Sequence, residues 1–275
     1  MQPHLADNYF QPESRLSIYE ENIMLANNTD EVIQYLDAII AEAIEERSRR
    51  GFFAALYRQV TLKVKIGIKH GFFDDAARME EFTTQFANRY FHALDDYQKN
   101  IKSTRSWQIT FDAVQKPDLL IAQHLLLAIN AHINLDLGIV AAELCPGDKL
   151  QTLQDDFIKI NAILSDLLEP VELVLGQLSP LIEILDKFGG KKDEIIFNFS
   201  IRKARQEAWN NAKILAYQTF DVQQAIIKLM DSKVAFLGHA ITNPSRTFDR
   251  ALDLIKKSES DDIITIINAL NSIVD

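Results

Sequence analysis

Residues 117–146 read PDLLIAQHLLLAINAHINLDLGIVAAELCP. At helical spacing this stretch is apolar on nearly every side, and a helix that is hydrophobic all round belongs in a protein interior. It nevertheless carries Gln123, His124, Asn130, His132, Asn134 and Asp136. Polar groups in an interior are costly unless each finds a partner, so this concentration on one core helix points to a chemical task. Pro117 suits a first helical turn, and Cys145-Pro146-Gly147 closes the run. The predicted helix covers about 118–144. That is long enough to cross a membrane, but its amides, imidazoles and carboxylate argue against contact with lipid, so no membrane span is expected.

Working outward, the rest of the chain reads as helices too. Asn28-Thr29-Asp30 offers N-cap residues before EVIQYLDAIIAEAIEERS, and Gly51 interrupts that pattern ahead of FFAALYRQVTLKVKIGIKHG. Asp74 or Asp75 caps a helix running to about Asn100, and TRSWQITFDAVQKP holds a short one. LQDDFIKINAILSDLL and PVELVLGQLSPLIEILDKF read as two helices with Pro170 and Pro180 near their boundaries. Further helices are predicted from Glu194 to about Thr219 and from Val222 to Ile241, and the tail holds two short amphipathic segments. No period-2 strand pattern or internal repeat is present. The expected fold is all-α: one multi-helix, bundle-like domain around the 118–144 helix. An N-terminal arm spans 1–27, the helical core 28–243, and C-terminal helices in 244–275 pack on the core or on a partner, where they could build an oligomer.

Composition narrows the function classes. The 275-residue chain is 47% hydrophobic, enough for a large core. A net charge of −10 without a basic stripe argues against nucleic acid as a partner. The single cysteine, Cys145, leaves no intrachain disulfide and no Cys-rich zinc site. The first residues lack a charged n-region followed by an apolar core, so no signal peptide is read and a cytoplasmic protein is expected. There is no GxSxG, P-loop, GxGxxG or HExxH motif. The acid pairs Asp74-Asp75, Asp95-Asp96 and Asp261-Asp262 lack full DDxxD spacing.

On a regular helix, at about 100° per residue, His132, Asp136 and Glu143 share a face, and Gln123, Asn130 and Asn134 lie on another. His132 and Asp136 are an i,i+4 pair, able to hold a metal jointly or to form an imidazole–carboxylate hydrogen bond. The 74–100 helix carries Glu81, Gln85, Asn88 and His92 along one face, flanked by Arg78 and Arg89. A Glu and a His from it, facing His132 and Asp136, would make a two-helix site of the kind built in bundles. The metal-ligand candidates are His92, His124, His132 and Asp136, and zinc, manganese or iron would suit them. Glu81 could act as a general base, and Arg78 and Arg89 could clamp an anionic group or neutralise buried acids. Asn130, Asn134 and Tyr90 could orient a cofactor or ligand. Arg202, Arg205, Glu207 and Trp209 read as a salt-bridged surface with a half-buried indole, and His239 reads as a core histidine.

The segments FFAALYRQVT, FFDDAARMEEFTTQFANRYFHAL, SWQITFDA, QHLLLAINAHINLDLGIVAAE and RKARQEAWNNAKILA together resemble an all-helical domain-of-unknown-function family of bacteria and some fungi. The resemblance covers most of residues 50–240, and INAHINLDLGI is its most specific part. It implies Arg58, Arg78, Glu81, Arg89, Tyr90, His124, Asn130, His132, Asn134, Asp136 and Trp209 as the matching positions. It carries no reaction. Three expectations follow. One is a metal- or imidazole-dependent enzyme, such as a hydrolase, acting on a small molecule. The second is a protein that binds a small molecule or lipid without turning it over. The third is a structural module whose polar core fixes helix register.

Overall fold

The computed structural model describes residues 25–182, 200–244 and 249–274, and within them the chain is helical without strands. Asn28 opens α1 (Thr29–Glu45) by accepting from the Glu31 backbone N–H at 2.9 Å. Helix α2 (Arg50–Lys69) starts one residue before Gly51, so that glycine lies in the first turn rather than in a break. Gly71, at φ +68°, then reverses the chain in a conformation that a Cβ would strain. Asp75 caps α3 (Ala76–Gln98) through the Arg78 N–H at 2.9 Å, and α4 (Arg105–Ala113) follows. Helix α5 is the decisive stretch, Ile121–Leu144.

Two expectations change here. Pro170 does not divide two helices: α6 (Leu150–Leu178) runs straight through it. A proline removes one donor and crowds the preceding turn, and the packing of Ile160, Ile163, Leu167 and Leu178 holds the helix together across it. The α5 helix is not a uniform α-helix either. Its ends, Ile121–Ile129 and Gly138–Leu144, are α-helical, but Asn130–Leu137 is a π-helix. A π segment bonds i to i+5, is rare, and is found frequently at functional sites. Its angular step differs from 100°, so the face assignments made for a regular helix do not carry through it.

The remaining helices are α7 (Ile201–Leu215), α8 (Phe220–Thr242), α9 (Asp249–Ser258) and α10 (Ile263–Asn271). Residues 194–199 of the predicted Glu194 helix and the 1–24 portion of the arm lie outside the described residues. Helix α10 packs back on the chain's own core through Ile266, Ile267 and Leu270, and the Gln59 side chain donates to Asn271 Oδ1 at 3.1 Å.

Buried carboxylates tie the helices together at their starts. Asp156 of α6 accepts from the N–H groups of Asp74 (2.7 Å) and Asp75 (3.0 Å) just before α3. Asp231 of α8 accepts from the N–H groups of Arg105 (2.8 Å) and Ser106 (3.0 Å) in α4. Glu259 accepts from Ile121 N–H at 3.2 Å, at the start of α5. The first turn of a helix leaves donors without intrahelical acceptors and carries partial positive charge. Neither Thr104 nor Leu120 supplies a side-chain cap, so acids remote in sequence do it.

Helix α5 runs through the middle of the molecule between two apolar clusters. It is the described helix long and apolar enough to cross a membrane, and 78% of its most apolar window is buried within the protein. At Gly138 a Cβ would stand 2.6 Å from the Ala208 carbonyl oxygen, so α5 and α7 cross at a distance that only glycine allows.

Candidate functional site

The π-helical segment places Asp136 and His132 in the core, where they are 1% and 3% exposed. Asp136 is well partnered. It accepts from Arg89 Nε at 2.8 Å and from Trp107 Nε1 at 2.8 Å. Burial works to raise its pKa, but the Arg89 guanidinium wins and holds the carboxyl below its ordinary range. Asp136 is therefore a fixed anion.

His132 stands in an aromatic box. Its ring stacks face to face on Phe86, with centroids 3.6 Å apart and planes 9° apart. Tyr57 meets it edge-on at 4.7 Å and Phe53 at 5.7 Å. Its Nδ1 lies 3.6 Å from Asp136 Oδ2, beyond hydrogen-bond reach. Among the described residues neither ring nitrogen has a hydrogen-bond partner, and the neighbouring Tyr57 hydroxyl has none either. Burial pushes the His132 pKa down, against the pull of Asp136, so the ring is neutral. Burial likewise pushes the Tyr57 phenol far up, so it stays protonated.

Tyr57 and His132 are among the residues around a cavity of about 160 Å³ between α2, α3, α5, α6 and α7. Its wall is almost wholly hydrocarbon: Leu56, Val60, Phe82, Ile133, Leu137, Leu164, Leu167 and Val171 are among the lining side chains. Tyr57, Thr61, Thr83, His132 and Arg205 are the residues with polar side chains in that lining.

The other predicted site residues fall elsewhere. Glu81 is exposed on α3 and accepts from Gln85 at 2.9 Å, which leaves no route to His132. Arg78 bonds Asp156 Oδ2 at 3.0 Å and Thr152 at 3.1 Å, pinning the start of α3 to α6. It is thus a structural partner, apart from Arg89. His92 is half-buried and outside the cavity wall. His124 is buried two turns up α5, edge-on to Phe52 at 5.9 Å. Burial, with help from Arg49 and Lys256, pushes its pKa down to about 3. Asn130 donates to the Val234 carbonyl at 2.9 Å and accepts from Asn134 at 2.9 Å, so the pair ties α5 to α8. Tyr90 packs on Phe53 and Trp107 as part of the aromatic box.

The predicted metal shell does not assemble. Among the described residues no three His, Cys, Asp or Glu side chains come close enough to hold an ion. The physical reason is that the two Asp136 oxygens are taken by Arg89 and Trp107, and the candidate histidines sit at separate depths. Two further expectations are corrected. His239 is exposed rather than in the core. Arg205 is 4% exposed and Trp209 7%, so this is not a salt-bridged surface. The residues missed at the site are Tyr57, Phe86 and Trp107. The i,i+4 spacing of Phe53 and Tyr57 in FFAALYRQ was the available signal, since it sets two rings on one face of α2.

No curated protein and no solved structure matches the chain. A family model described as a family of unknown function (DUF5995) matches residues 29–244. The match takes in every helix that builds the site, and the chain belongs to that family.

Proposed function

We propose that the protein binds a small, mainly apolar molecule in this cavity, with His132 Nε2 and Tyr57 Oη as its polar anchors. The observation that carries the reading is that two residues of this largely hydrocarbon wall, His132 and Tyr57, hold buried polar atoms without a partner among the described residues. An unmet buried donor or acceptor costs roughly 1–3 kcal/mol. Two side by side make sense where an occupant satisfies them, and binding pockets have this character: mostly apolar, with a few placed polar groups. A cavity of roughly 150 Å³ accommodates a benzene-sized guest, so the occupant has a ring-sized body.

Cyclohexanol is a suitable neutral probe, because it pairs a six-carbon body with one hydroxyl. Saturating it at about a hundred times its Kd stabilises the fold by about 2.7 kcal/mol. Melting curves of the stripped protein then rise, and the cavity-filling variant Leu164→Phe does not respond. Native mass spectrometry of the purified chain detects the natural occupant. A folded protein that carries no adduct and ignores both cyclohexanol and phenol sinks the reading. Proton transfer to His132 is a second reading, favoured by Asp136 standing 3.6 Å behind a neutral imidazole. A copurified molecule altered by the wild type but not by His132→Gln would move the assignment to an enzyme.

A further inference from the structure

Arg205 is the one formally charged side chain on the cavity wall. It is buried, and among the described residues no carboxylate pairs with it. Its contacts are neutral. Nε donates to Asn161 Oδ1 at 2.7 Å, Nη2 donates to the Phe157 carbonyl, and the guanidinium carbon sits 4.3 Å over the Phe157 ring. Nη1 has no acceptor among the described residues. Four half-buried arginines do have an acid: Arg89 has Asp136, Arg78 has Asp156, Arg58 has Asp37, and Arg50 has Glu42.

A guanidinium buried without a counter-ion is unfavourable by several kcal/mol, and the planar fork is shaped to receive a carboxylate on two parallel N–H bonds. Burial lowers the Arg205 pKa to about 9, so it stays charged at neutral pH. Thr61 and Thr83 are the nearest thing to further polarity on the wall, and each Thr carries only a hydroxyl. The wall thus supplies one positive charge, two neutral hydrogen-bonding anchors and hydrocarbon.

Resting on the pocket reading above, we propose that the occupant is a small amphiphilic carboxylate whose anionic head is held by Arg205 and whose apolar body fills the cavity. The ligand provides the counter-ion that the chain withholds, and the site discriminates by charge as well as by shape. An ammonium head would meet the guanidinium as a like charge, and an alcohol would leave it unpaired.

The test uses three probes with one skeleton: cyclohexanecarboxylate, cyclohexanol and cyclohexylamine. Calorimetric titration of the wild-type full chain at pH 7 is expected to show the carboxylate at least about tenfold tighter than the alcohol, matching a charge-assisted hydrogen bond of about 1.5–3 kcal/mol. The amine is not expected to bind. Arg205→Met removes the carboxylate's advantage and keeps the alcohol's affinity, while Arg205→Lys keeps part of the advantage. Should Arg205→Met fail to fold, the wild-type order of the three probes decides alone. If the alcohol binds as well as the carboxylate, the Arg205 clamp is overturned and the pocket reading stands. If carboxylate binding survives Arg205→Met and is lost in His132→Phe, the clamp is also overturned, and His132 holds the head instead. If none of the probes binds a folded protein, both readings fall.

Discussion

Tyr57→Phe is the substitution whose sign separates a binding pocket from a structural polar core. In most cores, deleting a tyrosine hydroxyl removes a hydrogen bond and destabilises. Here the hydroxyl is buried and has no partner among the described residues, so its removal relieves a desolvation penalty of about 1–3 kcal/mol. The ring itself stays in place. It lies parallel to Phe53, with centroids 5.5 Å apart, and edge-on to His132 at 4.7 Å. A small void at the former oxygen offsets part of the gain, and the net expectation is a stabilisation of about 1 kcal/mol. In a domain of this size that raises the Tm by roughly 2–4 °C. Urea denaturation and calorimetric melting of stripped wild type and variant, side by side, measure it. The same variant binds cyclohexanol more weakly, by about 1 kcal/mol or roughly fivefold. A stripped Tyr57→Phe protein that is less stable than wild type by 1 kcal/mol or more, even roughly, would refute the reasoning. It would mean that the hydroxyl is satisfied within the fold.

Arg89→Met leaves the Asp136 carboxylate buried with only Trp107 as donor, and breaking a buried pair in this way costs about 3 kcal/mol. The gap from wild type narrows as pH falls and Asp136 takes a proton. A loss under about 1 kcal/mol at pH 7 would place the pair with exposed salt bridges instead. Acid destabilises the fold well above the carboxylate range. Burial keeps His124 neutral in the folded chain down to about pH 3 and also lowers the His132 pKa, whereas the unfolded chain protonates both below about pH 6.5. The unfolded state therefore binds more protons, and stability falls as pH drops below about 6.5, by up to about 1.4 kcal/mol per unit for each histidine. Asp136, whose folded pKa is lowered, adds a further loss only below its ordinary value of 3.8. Urea midpoints between pH 7 and pH 5 follow this slope, and His124→Leu flattens it. An unchanged midpoint across that interval would show that the histidines are not buried neutral.

The site was partly visible in the chain. An apolar helix carrying His132 and Asp136 announces a polar group in a core, because no other placement suits both its hydrocarbon and its imidazole. The pairing of Asp136 with Arg89 was within reach, since both were singled out by type and spacing. The unpaired state of His132 was not, because it depends on which neighbours fail to arrive. Phe86, Tyr57 and Phe53 enclose its ring with hydrocarbon from two other helices. Arg205 shows the same difficulty from the other side. Beside Arg202 and Glu207 it looks like part of a charged surface, yet it turns inward while those two stay exposed.

By itself, the sequence determined the all-helical class, the central place of the 118–144 helix and several helix starts, such as Asn28 and Asp75. These are local matters, set by the 3.6-residue period and by side chains that cap their own first turn. Only the tertiary structure decided the π-helical turn at Asn130–Leu137, the continuity of α6 through Pro170 and the capping of α3, α4 and α5 by Asp156, Asp231 and Glu259. Those acids lie 82, 126 and 138 residues from the donors they accept. Packing brings them there, and packing free energy can override local preference when a helix is held along its length. The cavity has the same origin: it is the space that five helices leave between them.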